Sequence, residues 1–131
     1  MNKKNDPRFS ERIKDICTMF DDVVKDHEWH GEQVNRMDQL TQDYLHKLEL
    51  DGLKYEERAK VATQLAKCRQ ERRQHKDAVI VLDPLVEYLE TENGKRLLNL
   101  LREVLGKTRK AEAYMQTRMY FPRVLKEEKT E

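Results

Sequence analysis

Glycine and proline are scarce in this chain, with four and three residues in 131. So few chain breakers leave little room for the turns of an all-β fold and argue for a few long helices. Cysteine is rarer still: Cys17 and Cys68 stand far apart, in no metal-like spacing. A disulfide framework or a Cys-based zinc site is therefore not expected, and both thiols read as small core residues in a reducing compartment. No apolar run approaches the roughly 18 residues of a membrane span, and no signal peptide is apparent, so a cytoplasmic location is expected. The patterns GxGxxG, GxxxxGK[ST], GxSxG and CxxC are all missing, which removes the usual phosphate cradles and nucleophile turns. No catalytic residue, cofactor or metal is expected, and the chain reads as a non-enzyme.

What is present is charge and helix-forming side chains. Charged residues make up 39% of the sequence and apolar ones 37%, too even a ratio for a thick globular core. Thin helical hairpins, or an oligomer, suit it better. Leu, Ile, Val and Phe together reach 23% while the net charge is only +1, so the chain is expected to fold. Glu, Lys, Arg, Gln and Leu dominate, and each loses little rotamer freedom in a helix.

Apolar spacing predicts an all-α, four-helix antiparallel hairpin or bundle of long, coiled-coil-like helices, with residues 1–120 forming one domain. Asp6 and Pro7 suit an N-cap and first helical position, opening a helix over about 7–26 through Phe9, Ile13, Ile16, Cys17, Phe20, Val23 and Val24. The stretch DHEWHG reads as an interruption. A second helix over about 31–50 carries Val34, Met37, Thr41, Tyr44 and Leu48 at alternating three- and four-residue steps, a seam suited to one partner helix. Gly52 can take the left-handed position that ends it. A third helix spans about 55–90, kinked or broken near 80–84 by Pro84. TENG reads as a turn, a fourth helix covers about 94–119, and residues 121–131 form an extended or frayed tail. Gly106, inside that last helix, marks either a close helix contact or a bend.

Charge comes in blocks. Residues 1–53 are net −4, 54–76 net +5, 77–105 net −3 and 106–126 net +5. An antiparallel hairpin about residue 92 would set the two basic blocks side by side. The densest stretch, RQERRQHK at 69–76, interrupts an apolar stripe: Arg58, Arg69, Arg72 and Lys76 lie close to one line along the helix, at the edge of its apolar face. Three readings stand. The cations form a solvated face, or they dock the acidic first half of the chain, or they bind an external anion. In the third case the candidate binding residues are Arg58, Arg69, Arg72, Arg73, Lys76, Lys107, Arg109, Lys110, Arg118 and Arg123, with Trp29, Tyr114, Tyr120 and Phe121 as interface anchors. A protein partner is favoured over nucleic acid, because dedicated nucleic-acid binders are usually strongly basic. No membrane partner is expected, and self-association is left open. His27 and His30 in HEWH invite a metal, but a third ligand is not at hand, and a hydrated loop is the expected reading.

Two stretches, LAKCRQERRQHKDAVIVLDPLVEYLE and RMYFPRV, resemble small helical accessory proteins of bacteriophages of Gram-positive bacteria. The resemblance covers about a quarter of the chain. It implies an intracellular protein that acts by binding and modulating host or phage machinery for replication, transcription or defence, and it transfers no catalytic residue.

Overall fold

A computed structural model describes residues 8–119 and 122–124, and within them every element is helical: α1 (Ser10–Leu50), α2 (Tyr55–Glu90) and α3 (Glu92–Thr117). The expected strand-free architecture holds, but with three helices in place of four. The first two expected helices are one. DHEWHG does not interrupt α1, which runs for 41 residues, about 60 Å. Asp6 and Pro7, expected to start it, lie outside the described residues.

Continuity follows from the spacing of inward residues. Val23, His27, His30, Val34, Met37, Thr41, Tyr44 and Leu48 recur at steps of four and three, and each is buried or half-buried. On α2 the matching row is Val61, Leu65, Cys68, Arg72, His75, Val79, Leu82, Val86 and Leu89. Both rows keep the heptad rhythm of a two-helix coiled coil. Their contacts fix an antiparallel register: Thr41 meets Cys68, Asp38 meets Arg72, His30 meets His75 and His27 meets Asp83. The polar layers favour this register, since a slip would separate these half-buried groups from their partners.

The connections are short. α1 ends at Asp51, and Gly52 follows with φ of +55°, the left-handed position anticipated for it. Pro84 lies inside α2 without breaking it, and Asp83 spends its carboxylate on His27, not on capping a new helix. The second junction departs most from expectation. Thr91 alone separates α2 from α3, its hydroxyl donating to the Tyr88 carbonyl and accepting from the Gly94 amide. Gly94 is buried against the last turn of α2. A side-chain carbon there would come 2.7 Å from Leu89 Cα and closer still to the Tyr88 carbonyl oxygen. Gly106, by contrast, faces open space, so it marks no close contact.

α3 does not fold back along α2. Arg102 reaches Asp21, and the Ser10 amide donates to Glu112, so α3 runs against the N-terminal part of α1. α1 thus serves as a long spine, its C-terminal part paired with α2 and its N-terminal part with α3. The core is correspondingly thin. Cys17, Val34, Met37, Val61, Cys68, Val86 and Leu89 are buried, and no large side chain is wholly sealed among the described residues. Both cysteines are buried and reduced; the Cys68 thiol donates to the Met37 carbonyl.

Candidate functional site

The RQERRQHK stretch sits mid-way along α2, and the seam explains its odd composition. Arg72 and His75 occupy seam positions that Leu or Val would ordinarily fill. Each brings a partner across from α1. The Arg72 Nε donates to Asp38 at 2.6 Å, and Arg69 approaches the same carboxylate at 3.5 Å. His30 and His75 hold their Nδ1 atoms 2.9 Å apart, so one imidazole donates and the other accepts. Trp29 stands edge-on to both rings, with centroids 4.9 and 5.3 Å away. His27 Nε2 lies 2.6 Å from the Asp83 carboxylate. The HEWH stretch is therefore helical and interhelical, which corrects its reading as a hydrated loop. Among the described residues no group of three or more His, Cys, Asp or Glu is arranged to hold a metal ion.

Beside the seam, Arg69, Arg72, Arg73 and Lys76 line a depression of about 270 Å³, with Asp77 and Ile80 completing its wall. All six belong to α2, at helical spacings that stack them on one flank. Asp38 engages two of the four cations from α1. Arg73 and Lys76 are exposed and make no ion pair among the described residues. The docking of the acidic first half onto this motif is thus real but partial: one carboxylate, itself about half exposed, faces two guanidinium groups.

The second basic block is elsewhere. Lys107, Arg109 and Lys110 are exposed on α3, close to the Ser10–Glu112 contact. That contact and the Asp38–Arg72 pair are separated by about 40 Å along α1. The expectation that the two basic blocks lie side by side is overturned, because the α2–α3 junction carries the chain onward along α1 instead of reversing it. Arg58 is exposed near the start of α2; Arg118 and Arg123 are exposed beyond α3. Trp29 packs on the histidine pair, while Tyr114 is exposed on α3. Tyr120 and Phe121 lie outside the described residues. The ten candidate cations therefore divide into a compact α2 cluster of four, a separate group of five around the far end of α3, and Arg58 alone in the first turn of α2.

Sequence reasoning missed the histidine layer and an apolar cleft of about 480 Å³ between the two chain ends of the bundle, lined by Phe9, Thr108, Ala111, Glu112 and Met115 among others. Extending the four-and-three spacing back from Val34 to His30, His27 and Val23 would have found the first. Among the described residues no helix is long and apolar enough to cross a membrane. Comparison with protein-family models, with curated proteins and with solved structures finds no match.

Proposed function

We propose that this is a non-enzymatic interaction protein that binds an acidic protein segment along the cationic flank of α2. One observation carries the reading: four cationic side chains converge on a single depression, and α1 supplies only one carboxylate to them. Arg73 and Lys76 make no ion pair among the described residues, with Asp77 on the wall beside them. Guanidinium groups match carboxylates in a planar, two-bond geometry, which favours an acidic protein surface. The role implied by the resemblance to phage accessory proteins, modulation of host or phage machinery inside the cell, agrees with such a surface.

The same flank offers a nucleic-acid reading, in which α2 tracks a phosphate backbone. The separation of the two basic blocks works against it, because a duplex contact would draw on one short cluster and a net charge of only +1.

Titration of a fluorescent polyglutamate peptide, a DNA duplex and a single strand tests both. Saturable peptide binding that is lost in Arg73→Gln/Lys76→Gln, with weak DNA binding, is the expected result. Tight DNA binding that falls steeply with salt would replace the reading with the nucleic-acid one, and no peptide binding at low salt would remove it.

A further inference from the structure

We propose that the α1/α3 end of the molecule is half of a four-helix bundle, completed by a second copy of this chain. The chain exposes 11176 Å², whereas a compact monomer of 15.8 kDa exposes about 7,300 Å².

Part of the exposed apolar surface forms one continuous flank of the α1/α3 pair. The inward row of α3 beyond the junction is Leu98, Leu101, Leu105, Thr108 and Glu112, each half-buried, with Glu112 accepting from the Ser10 amide of α1. A second row, Leu97, Leu100, Val104, Ala111 and Met115, remains exposed, with Val104 at 46% and Met115 at 55%. On α1 the inward row is Ser10, Ile13, Cys17 and Phe20, and beside it Phe9 and Ile16 are 55% and 44% exposed.

At 100° per residue the exposed α1 residues are turned roughly 60–80° from the contact line, and those of α3 roughly 60–120° in the same sense about their own helix axis. Because the helices run in opposite directions, the two rotations bring both rows to the same flank. The apolar cleft confirms this at one end, where Phe9, Ala111 and Met115 line one space. The Asp21–Arg102 ion pair closes the opposite flank.

Charge selects the occupant. The outer edge of α1 carries Asp15, Asp22 and Asp26 with Arg12 among them, and the outer edge of α3 carries Arg96, Lys107 and Lys110 with Glu103 among them. The three aspartates and three basic residues are exposed and make no ion pair among the described residues. A second copy placed with its α3 beside α1 of the first sets acidic edge against basic edge twice over, as a closed two-fold interface requires. In the register that aligns Asp21 with Arg102 and Ser10 with Glu112, Asp26 and Asp15 come level with Arg96 and Lys107 of the second copy. This use of Lys107 and Lys110 leaves the α2 flank available for its own partner.

Sedimentation equilibrium of the full chain over a wide concentration range tests the assignment. A dimer is expected. Ile16→Glu/Val104→Glu is expected to weaken it more than about a hundredfold, since each glutamate would be buried without a partner, while helicity by circular dichroism stays unchanged. Asp15→Lys and Lys107→Asp act on exposed side chains that the monomer fold does not use; each should weaken the dimer, and the two together should restore it. A chain monomeric at every concentration, or a dimer indifferent to all of these substitutions, overturns the proposal.

Discussion

His30 and His75 face each other across the α1/α2 seam with their Nδ1 atoms 2.9 Å apart. Each imidazole is half-buried, and each depends on the other for the hydrogen bond that its buried nitrogen needs. Removing one ring strands the other, whereas removing both leaves an apolar layer. His30→Leu and His75→Leu should each cost about 1–2 kcal/mol in urea unfolding, and the double variant should cost less than their sum by about 1 kcal/mol. Additive costs would show that the two rings act independently.

Asp38 joins the fold to the candidate binding flank, because one carboxylate holds both Arg69 and Arg72. The pairs are about half exposed, so Asp38→Asn should lower stability by less than about 1 kcal/mol. It should also strengthen polyglutamate binding, by returning two guanidinium groups to the flank. Unfolding curves and peptide titrations on the same variant separate the effects. A large stability loss with unchanged peptide affinity would assign the cluster to internal docking alone.

Pro84 is carried inside α2, where it removes one amide donor and crowds the preceding turn. Its ring is exposed, so the position contributes little to the core. Pro84→Ala should raise stability by about 1–3 kcal/mol, measured as a higher denaturant midpoint at constant slope.

Gly94 and Gly106 predict opposite outcomes for the same substitution. Gly94→Ala drives a methyl into the last turn of α2 and should cost more than about 2 kcal/mol, or open the α2–α3 junction. Gly106→Ala meets only solvent and should stabilise α3 by about 0.5–1 kcal/mol. Thermal melts of the two variants give the comparison directly.

Much of the fold was legible from apolar spacing alone. The 34–48 row and the Val79–Leu89 row both lie on the α1/α2 seam, and Gly52 takes its left-handed position. What misled was local chemistry. His27, Trp29, His30 and Gly31 are weak helix formers, and only their partners on α2 and the length of the seam keep them helical. Pro84 has the same explanation, being surrounded by Leu82, Val86 and Leu89 on the seam. The direction of α3 was not legible. A TENG segment suits a reversal as well as a one-residue junction, and the choice is made by Gly94 packing on Leu89 and by the free N-terminal surface of α1. Of the candidate binding residues, spacing correctly grouped Arg69, Arg72, Arg73 and Lys76. The grouping with Lys107 and Lys110 failed because it rested on that reversal.

The separation of the two basic blocks is what leaves α2 to act alone, and a distance measurement reads it directly. Spin labels at Arg73 and Lys110, in protein diluted with unlabelled chain, should give an intramolecular distance beyond about 30 Å. A distance below about 20 Å would mean that α3 folds back along α2 and that the two basic blocks form one surface.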